Sequence, residues 1–97
     1  MLLYTQGGDD MKKFKVISYH KKNAFMPTNG GTLIITDNEY IIKYLFLTVA
    51  RYDINKTVAS KISFISKGIN LNDGKKEINL YFFSKTAQKV YELLNLK

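Results

Sequence analysis

The chain contains no cysteine. That excludes disulfides, thiolate metal sites and a cysteine nucleophile, and leaves burial of apolar side chains as the source of stability. Histidine is almost absent too. His20 is the only one, with no second ligand type close to it in sequence. A catalytic or metal-bound imidazole normally works with an orienting carboxylate or further ligands, so His20 is expected in a solvated loop, and no metal or other cofactor is expected. Arg51 is the single arginine among 15 basic residues. The arginine fork grips phosphates and base edges through paired bonds, whereas lysine acts as a mobile point charge. A chain charged almost entirely by lysine is poorly equipped to read nucleic-acid sequence. Long apolar runs are missing as well: Lys or Asp interrupts every stretch before the ~18 residues of a spanning helix.

The opening MLLYTQGGDD has no basic start, and its apolar stretch, Leu2 to Tyr4, falls far short of the ~7–15 residues of a signal h-region. Residues 1–10 are read as a flexible leader or an extra edge strand, and residues 11–97 as one domain. A cytoplasmic protein, or one peripheral to a membrane, is the expectation. Apolar residues make up 45% of the 97, enough for one folded core and too little chain for two.

The periodicity is mostly that of strands. In the segment from Met11, Phe14, Val16 and Ser18 alternate with Lys15, Ile17 and Tyr19. After the loop that holds Pro27, Gly30 and Gly31 precede a strand in which Leu33 and Ile35 share one face; the pair offers positive φ or a close backbone approach. Asp37 and Asn38 are turn formers, and Tyr40, Ile42 and Tyr44 follow at a spacing of two, which makes a hairpin. Leu47 to Ile54 mixes polar and apolar residues on both faces, as an edge strand does. Ile62 and Phe64, then Ile69 and Leu71 beyond Gly68, leave open a bulged strand or two short ones. Asp73-Gly74 predicts a two-residue turn into Ile78, Leu80 and Phe82. The period then changes: Ser84 is a candidate N-cap, and Ala87, Val90, Tyr91 and Leu94 form one stripe of a helix from about Lys85 to Leu96. The expected fold is a mainly β (α+β) one, a bent antiparallel sheet or partial barrel of six or seven strands capped by a C-terminal helix.

Gly30, Gly31, Leu33, Thr36 and Asp37, with the closing YFFSKTAQKVYELL from Tyr81 to Leu94, give this order of features a resemblance to the pleckstrin-homology superfold, and more closely to its GRAM and bacterial PH-like branches. The resemblance spans about Phe14 to Leu96. It implies a non-enzymatic binding module in which basic residues of the first strand and the following loop hold a lipid headgroup. Where that family often has basic-Leu-Ile-Phe after the turn, this chain has Glu39-Tyr40-Ile41-Ile42.

One stretch, MKKFKVISYHKK, holds five lysines and a histidine with no acid. Lys12, Lys13, Lys15, His20, Lys21 and Lys22 are the candidate ligand-binding residues, and Lys15, Lys21 and Lys22 occupy positions comparable to the headgroup ligands that the resemblance implies. Three readings stay open: a solvated lysine-rich edge that discourages strand pairing, a site for anionic lipid headgroups, and a docking surface for a protein partner. Single-stranded nucleic acid is the remaining alternative, in which bases would stack on exposed rings. Arg51 and Asp53, two apart on one strand face, could form an anion site on a sheet edge, but a surface ion pair is the favoured expectation.

Overall fold

The computed structural model describes residues 11–62 and 67–96; the leader over residues 1–10 and Phe64 lie outside them. The described residues form nine strands, one α-helix and a 3-10 turn at Ile54–Lys56: β1 (Lys12–Lys15), β2 (Ser18–Lys21), β3 (Thr28–Asn29), β4 (Thr32–Ile35), β5 (Glu39–Tyr44), β6 (Leu47–Asp53), β7 (Val58–Ile62), β8 (Gly68–Asn72), β9 (Glu77–Tyr81) and α1 (Ser84–Leu93). All pairings are antiparallel. They build two sheets, of four strands in the order β1-β4-β5-β6 and of five in the order β3-β2-β9-β8-β7. The mainly β, antiparallel architecture with a C-terminal helix is as expected; the strands divide into two sheets joined at a corner rather than one bent sheet, and they do not close into a barrel.

The division arises at one corner. Val16 and Ile17 interrupt the strand that begins at Met11, and Gly30 and Gly31 interrupt its partner at the same level. The Val16 N–H donates to the Gly31 carbonyl at 3.0 Å, and the Gly30 N–H donates to the Ile17 carbonyl, so two paired ribbons turn together from one sheet into the other. Both glycines have positive φ, 94° and 130°, a region that costs an L side chain energy. A Cβ on Gly31 would stand 3.1 Å from the Lys43 carbonyl oxygen. The corner also shifts the alternation expected of the first strand. Val16 and Tyr19 are buried and Ile17 is exposed, a spacing that no continuous strand produces.

The rest of the pattern matches its elements closely. Leu33 and Ile35 on β4, Tyr40 and Ile42 on β5, Ile69 and Leu71 on β8, and Ile78 and Leu80 on β9 are buried in a single cluster that also takes in Phe82, Ala87, Val90 and Tyr91. β6 is an edge strand, as its mixed faces predict. Gly68 marks two strands rather than a bulge. It opens β8 opposite Ile62 of β7, with its Cα so close to β9 that a Cβ would lie 1.9 Å from the Leu80 carbonyl oxygen.

Two boundaries differ from expectation. The β8–β9 turn is centred on Gly74-Lys75, one residue later than Asp73-Gly74, because the Asp73 carboxylate accepts the Lys75 and Lys76 N–H groups at 2.9 and 2.8 Å. The same two hydrogen bonds, that from Lys76 foremost, hold the Asp73 carboxyl below its usual pKa. The helix starts at Ser84 with Phe83 as its cap residue, since the Ala87 N–H reaches back to the Phe83 carbonyl at 2.8 Å, and no side chain caps it. It ends at Leu93, where Asn95 takes a left-handed conformation with φ 57°.

The helix is latched to the five-stranded sheet by one hydroxyl. Tyr91 is buried; its Oη accepts the Gly68 N–H at 3.0 Å and donates to the Ile62 carbonyl at 2.8 Å. Ile62, Gly68, Tyr81 and Ser18 lie in one row across the sheet, so α1 covers the end at which β2 and β8 begin. Lys21 and the β8–β9 turn lie at the opposite end.

Candidate functional site

That opposite end is where charge collects. β2 ends at Lys21, and the Lys22 N–H continues the pairing by donating to the Glu77 carbonyl at 3.0 Å. The β8–β9 turn is thereby fixed beside the β2–β3 loop, and Lys75 and Lys76 stand next to Lys21 and Lys22. The four lysines line a cleft of about 550 Å³, whose far wall is Val49, Ala50 and Tyr52 of β6.

The wall has its own local cause. Ile42 pairs with Ala50, but Lys43 pairs with Thr48, which leaves Val49 as the extra residue of a β-bulge. Bulges bend a strand and re-aim a side chain, and here the re-aimed residue borders the cleft. Tyr52 is buried to 2% exposure. Its phenol is pushed up to about 12, by burial first and then by the carboxylates of Asp73 and Glu77. The Lys76 Nζ lies 4.7 Å from the centre of the Tyr52 ring and donates to the Arg51 carbonyl, which holds this lysine against the wall.

The one carboxylate in the lining is already engaged. Glu77 Oε2 accepts from Asn70 Nδ2 at 2.8 Å, and Oε1 lies 3.8 Å from the Lys22 ammonium. Among the described residues neither Lys21 nor Lys75 has a salt-bridge partner. The cleft therefore presents an excess of positive charge, four lysines against the single carboxylate of Glu77 in its lining, beside an apolar and aromatic wall. Such a surface attracts phosphates and carboxylates, though with lysine it does so through diffuse charge rather than a fixed fork.

The six candidate residues do not stay together. Lys21 and Lys22 reach the cleft. Lys12, Lys13 and Lys15 lie on β1, exposed on the edge strand of the other sheet, across the Val16–Ile17 corner and outside the cleft lining. His20 sits on β2 rather than in a loop, half-buried, with Nε2 donating to the Ala24 carbonyl at 3.0 Å, which braces the β2–β3 loop. Lys75 and Lys76 are additional members that sequence reasoning passed over. Their signal was a second Lys-Lys pair directly after a hairpin turn, but only pairing of β2 with β9 brings it beside Lys21 and Lys22. Arg51 bonds Glu39 at 2.9 Å across the β5–β6 pair instead of Asp53, whose carboxylate accepts the Asn55 N–H. The ion pair expected within one strand is thus replaced by one between neighbours.

Two exposed apolar segments adjoin cleft residues in sequence. Ala24 lines the cleft, and the next residues, Phe25 and Met26, are 98% and 65% exposed. Beyond the bulge, the β5–β6 turn exposes Leu45, Phe46 and Leu47. Among the described residues there is no group of three His, Cys, Asp or Glu side chains placed to hold a metal ion, and no helix is long and apolar enough to cross a membrane. Comparison with protein-family models, curated proteins and solved structures returns no match to the chain.

Proposed function

We propose that the protein is a non-enzymatic docking module that binds an anionic, phosphate-bearing membrane surface through the cleft between the β2–β3 loop and the β8–β9 turn. The observation that carries this reading is the convergence of Lys21, Lys22, Lys75 and Lys76 on one cleft in which Glu77, the one carboxylate among the described lining residues, is engaged by Asn70 and Lys22. Each lysine near an anionic surface contributes about 1 kcal/mol at low salt. The pleckstrin-homology-like reading is supported by the arrangement of elements: with each ribbon that bends at the corner counted once, seven antiparallel strands precede a closing helix. The lysines of β1 take the role of a charged edge that discourages strand pairing, and add long-range attraction.

The test is sedimentation with vesicles of phosphatidylcholine alone and of phosphatidylcholine with a third phosphatidylserine. Retention is expected on the anionic vesicles only, with release by salt, and reversal of the four cleft lysines to glutamate is expected to abolish it. Equal retention on both vesicle types, or none on either, rejects membrane docking. A mobility shift with single-stranded DNA or RNA at low ionic strength, in the absence of vesicle binding, would move the cleft to a nucleic-acid role.

A further inference from the structure

The β5–β6 hairpin closes on the sequence Tyr44-Leu45-Phe46-Leu47, with Tyr44 paired to Leu47 and only Leu45 and Phe46 between them. Two-residue turns favour Asn-Gly or Asp-Gly, because left-handed backbone suits residues with a small or absent side chain. Here Leu45 takes that conformation, with φ 57°. Its side chain gains no burial in return: Leu45 is 75%, Phe46 84% and Leu47 60% exposed. Three consecutive large apolar side chains thus stand in water at a strained turn, where polar residues would serve the fold better. The local cost has no compensation inside the molecule, which points outward.

The surroundings say what covers the tip. Phe46 lies three residues along β6 from Val49, which borders the basic cleft, a separation of about 10 Å at ~3.3 Å per residue. Phe25 and Met26, the residues after the cleft residue Ala24, are also exposed. A convex apolar knob has no pocket of its own, and a protein partner would need a cavity shaped to it. The interior of a bilayer accepts apolar groups without directional demands, and its anionic headgroups would meet the lysines at the same time. We infer that Leu45, Phe46 and Leu47 form a wedge that enters the headgroup–acyl boundary of an anionic bilayer while the cleft lysines engage the headgroups. This rests on the membrane reading above and adds an apolar, salt-resistant component to it.

The chain has no tryptophan, so Phe46→Trp introduces a single reporter at the tip. Vesicles containing a third phosphatidylserine are expected to shift its emission to the blue, and bromine-labelled acyl chains are expected to quench it. Leu45→Ser/Phe46→Ser is expected to lower vesicle affinity by about tenfold or more while leaving the melting temperature of the free protein within a few degrees, since these side chains are exposed. Salt is expected to strip the remaining binding of this double variant at a lower concentration than it strips the wild type. Retention on vesicles with unshifted, unquenched emission overturns the wedge and leaves headgroup docking intact. Absence of retention overturns both. A blue shift that grows with protein concentration without lipid overturns it as well, by showing that the tip is covered by a second copy of the chain.

Discussion

The two ends of the five-stranded sheet are built to opposite rules. At the end that α1 covers, the backbone and core are tied together: the Gly68 amide and the Ile62 carbonyl meet the Tyr91 hydroxyl, the Phe82 N–H donates to the Lys67 carbonyl, and Val90 and Ala87 are fully buried. At the other end Lys21 and Lys75 lack ion partners among the described residues and Phe25 stands in water, and the β5–β6 turn of the four-stranded sheet, a few residues from the cleft residue Val49, adds a left-handed Leu45 and an exposed Phe46. The first end is organised for stability and the second carries local costs. Proteins concentrate such costs where they bind, so the contrast is what sets the proposed site apart from the scaffold.

Substitutions at the covered end should be felt as loss of folding. Gly68→Ala has the largest expected effect, about 3 kcal/mol or more in a denaturant titration, because the Cβ would meet the Leu80 carbonyl at 1.9 Å and backbone must move. Tyr91→Phe keeps the ring and removes the latch, leaving the Gly68 N–H without its acceptor in a buried place; a loss of about 1–3 kcal/mol is expected by the same method. If either variant unfolds like the wild type, the distinction between the ends fails.

The open end offers subtler tests. The Tyr52 phenol is raised to about 12 in the folded state, so the unfolded chain releases this proton first as pH rises. Its contribution is fully present below pH ~10 and is lost progressively between ~10 and ~12, by at most about 1.4 kcal/mol for each step of one in pH. Tyr52→Phe should remove that part of the alkaline decline, seen as a flatter dependence of the unfolding midpoint on pH. Leu45→Gly should act with the reverse sign to the core variants, adding up to about 1 kcal/mol of stability by relieving the left-handed backbone while weakening vesicle binding. Smallest for the fold would be Lys21→Glu/Lys75→Glu, which removes no salt bridge seen among the described residues and is expected to move stability by less than about 0.5 kcal/mol and yet to lower retention on anionic vesicles.

What could be read from residues alone was whatever repeats locally. Leu33 with Ile35, Tyr40 with Ile42, and Ile78 with Leu80 announce their strands by alternation, and Ala87, Val90 and Tyr91 announce the helix by its longer period. The corner at Val16–Ile17 carries no such signal, because nothing in KVIS breaks a strand; the bend is imposed by Gly30 and Gly31 across the ladder. Turn placement failed for a similar reason. Asp73 takes two backbone N–H groups with its carboxylate, which moves the reversal one residue along. The basic cluster was half legible. Lys21 and Lys22 were in view, but contiguity also recruited Lys12, Lys13 and Lys15, which the corner sends to a different sheet, while Lys75 and Lys76 arrive from more than 50 residues away through a pairing that spacing cannot reveal.

The shared corner also ties the halves into one cooperative body. Because the ribbon from Lys12 to Lys21 and its partner from Thr28 to Ile35 belong to both sheets, neither sheet can separate without disturbing the hydrogen bonds that the Val16 and Gly30 N–H groups make at the corner. Partial opening has no seam to follow, so amide hydrogens on the two sides should exchange with solvent at a common slow rate, and a pull applied at the lysine-lined mouth would load the whole framework at once.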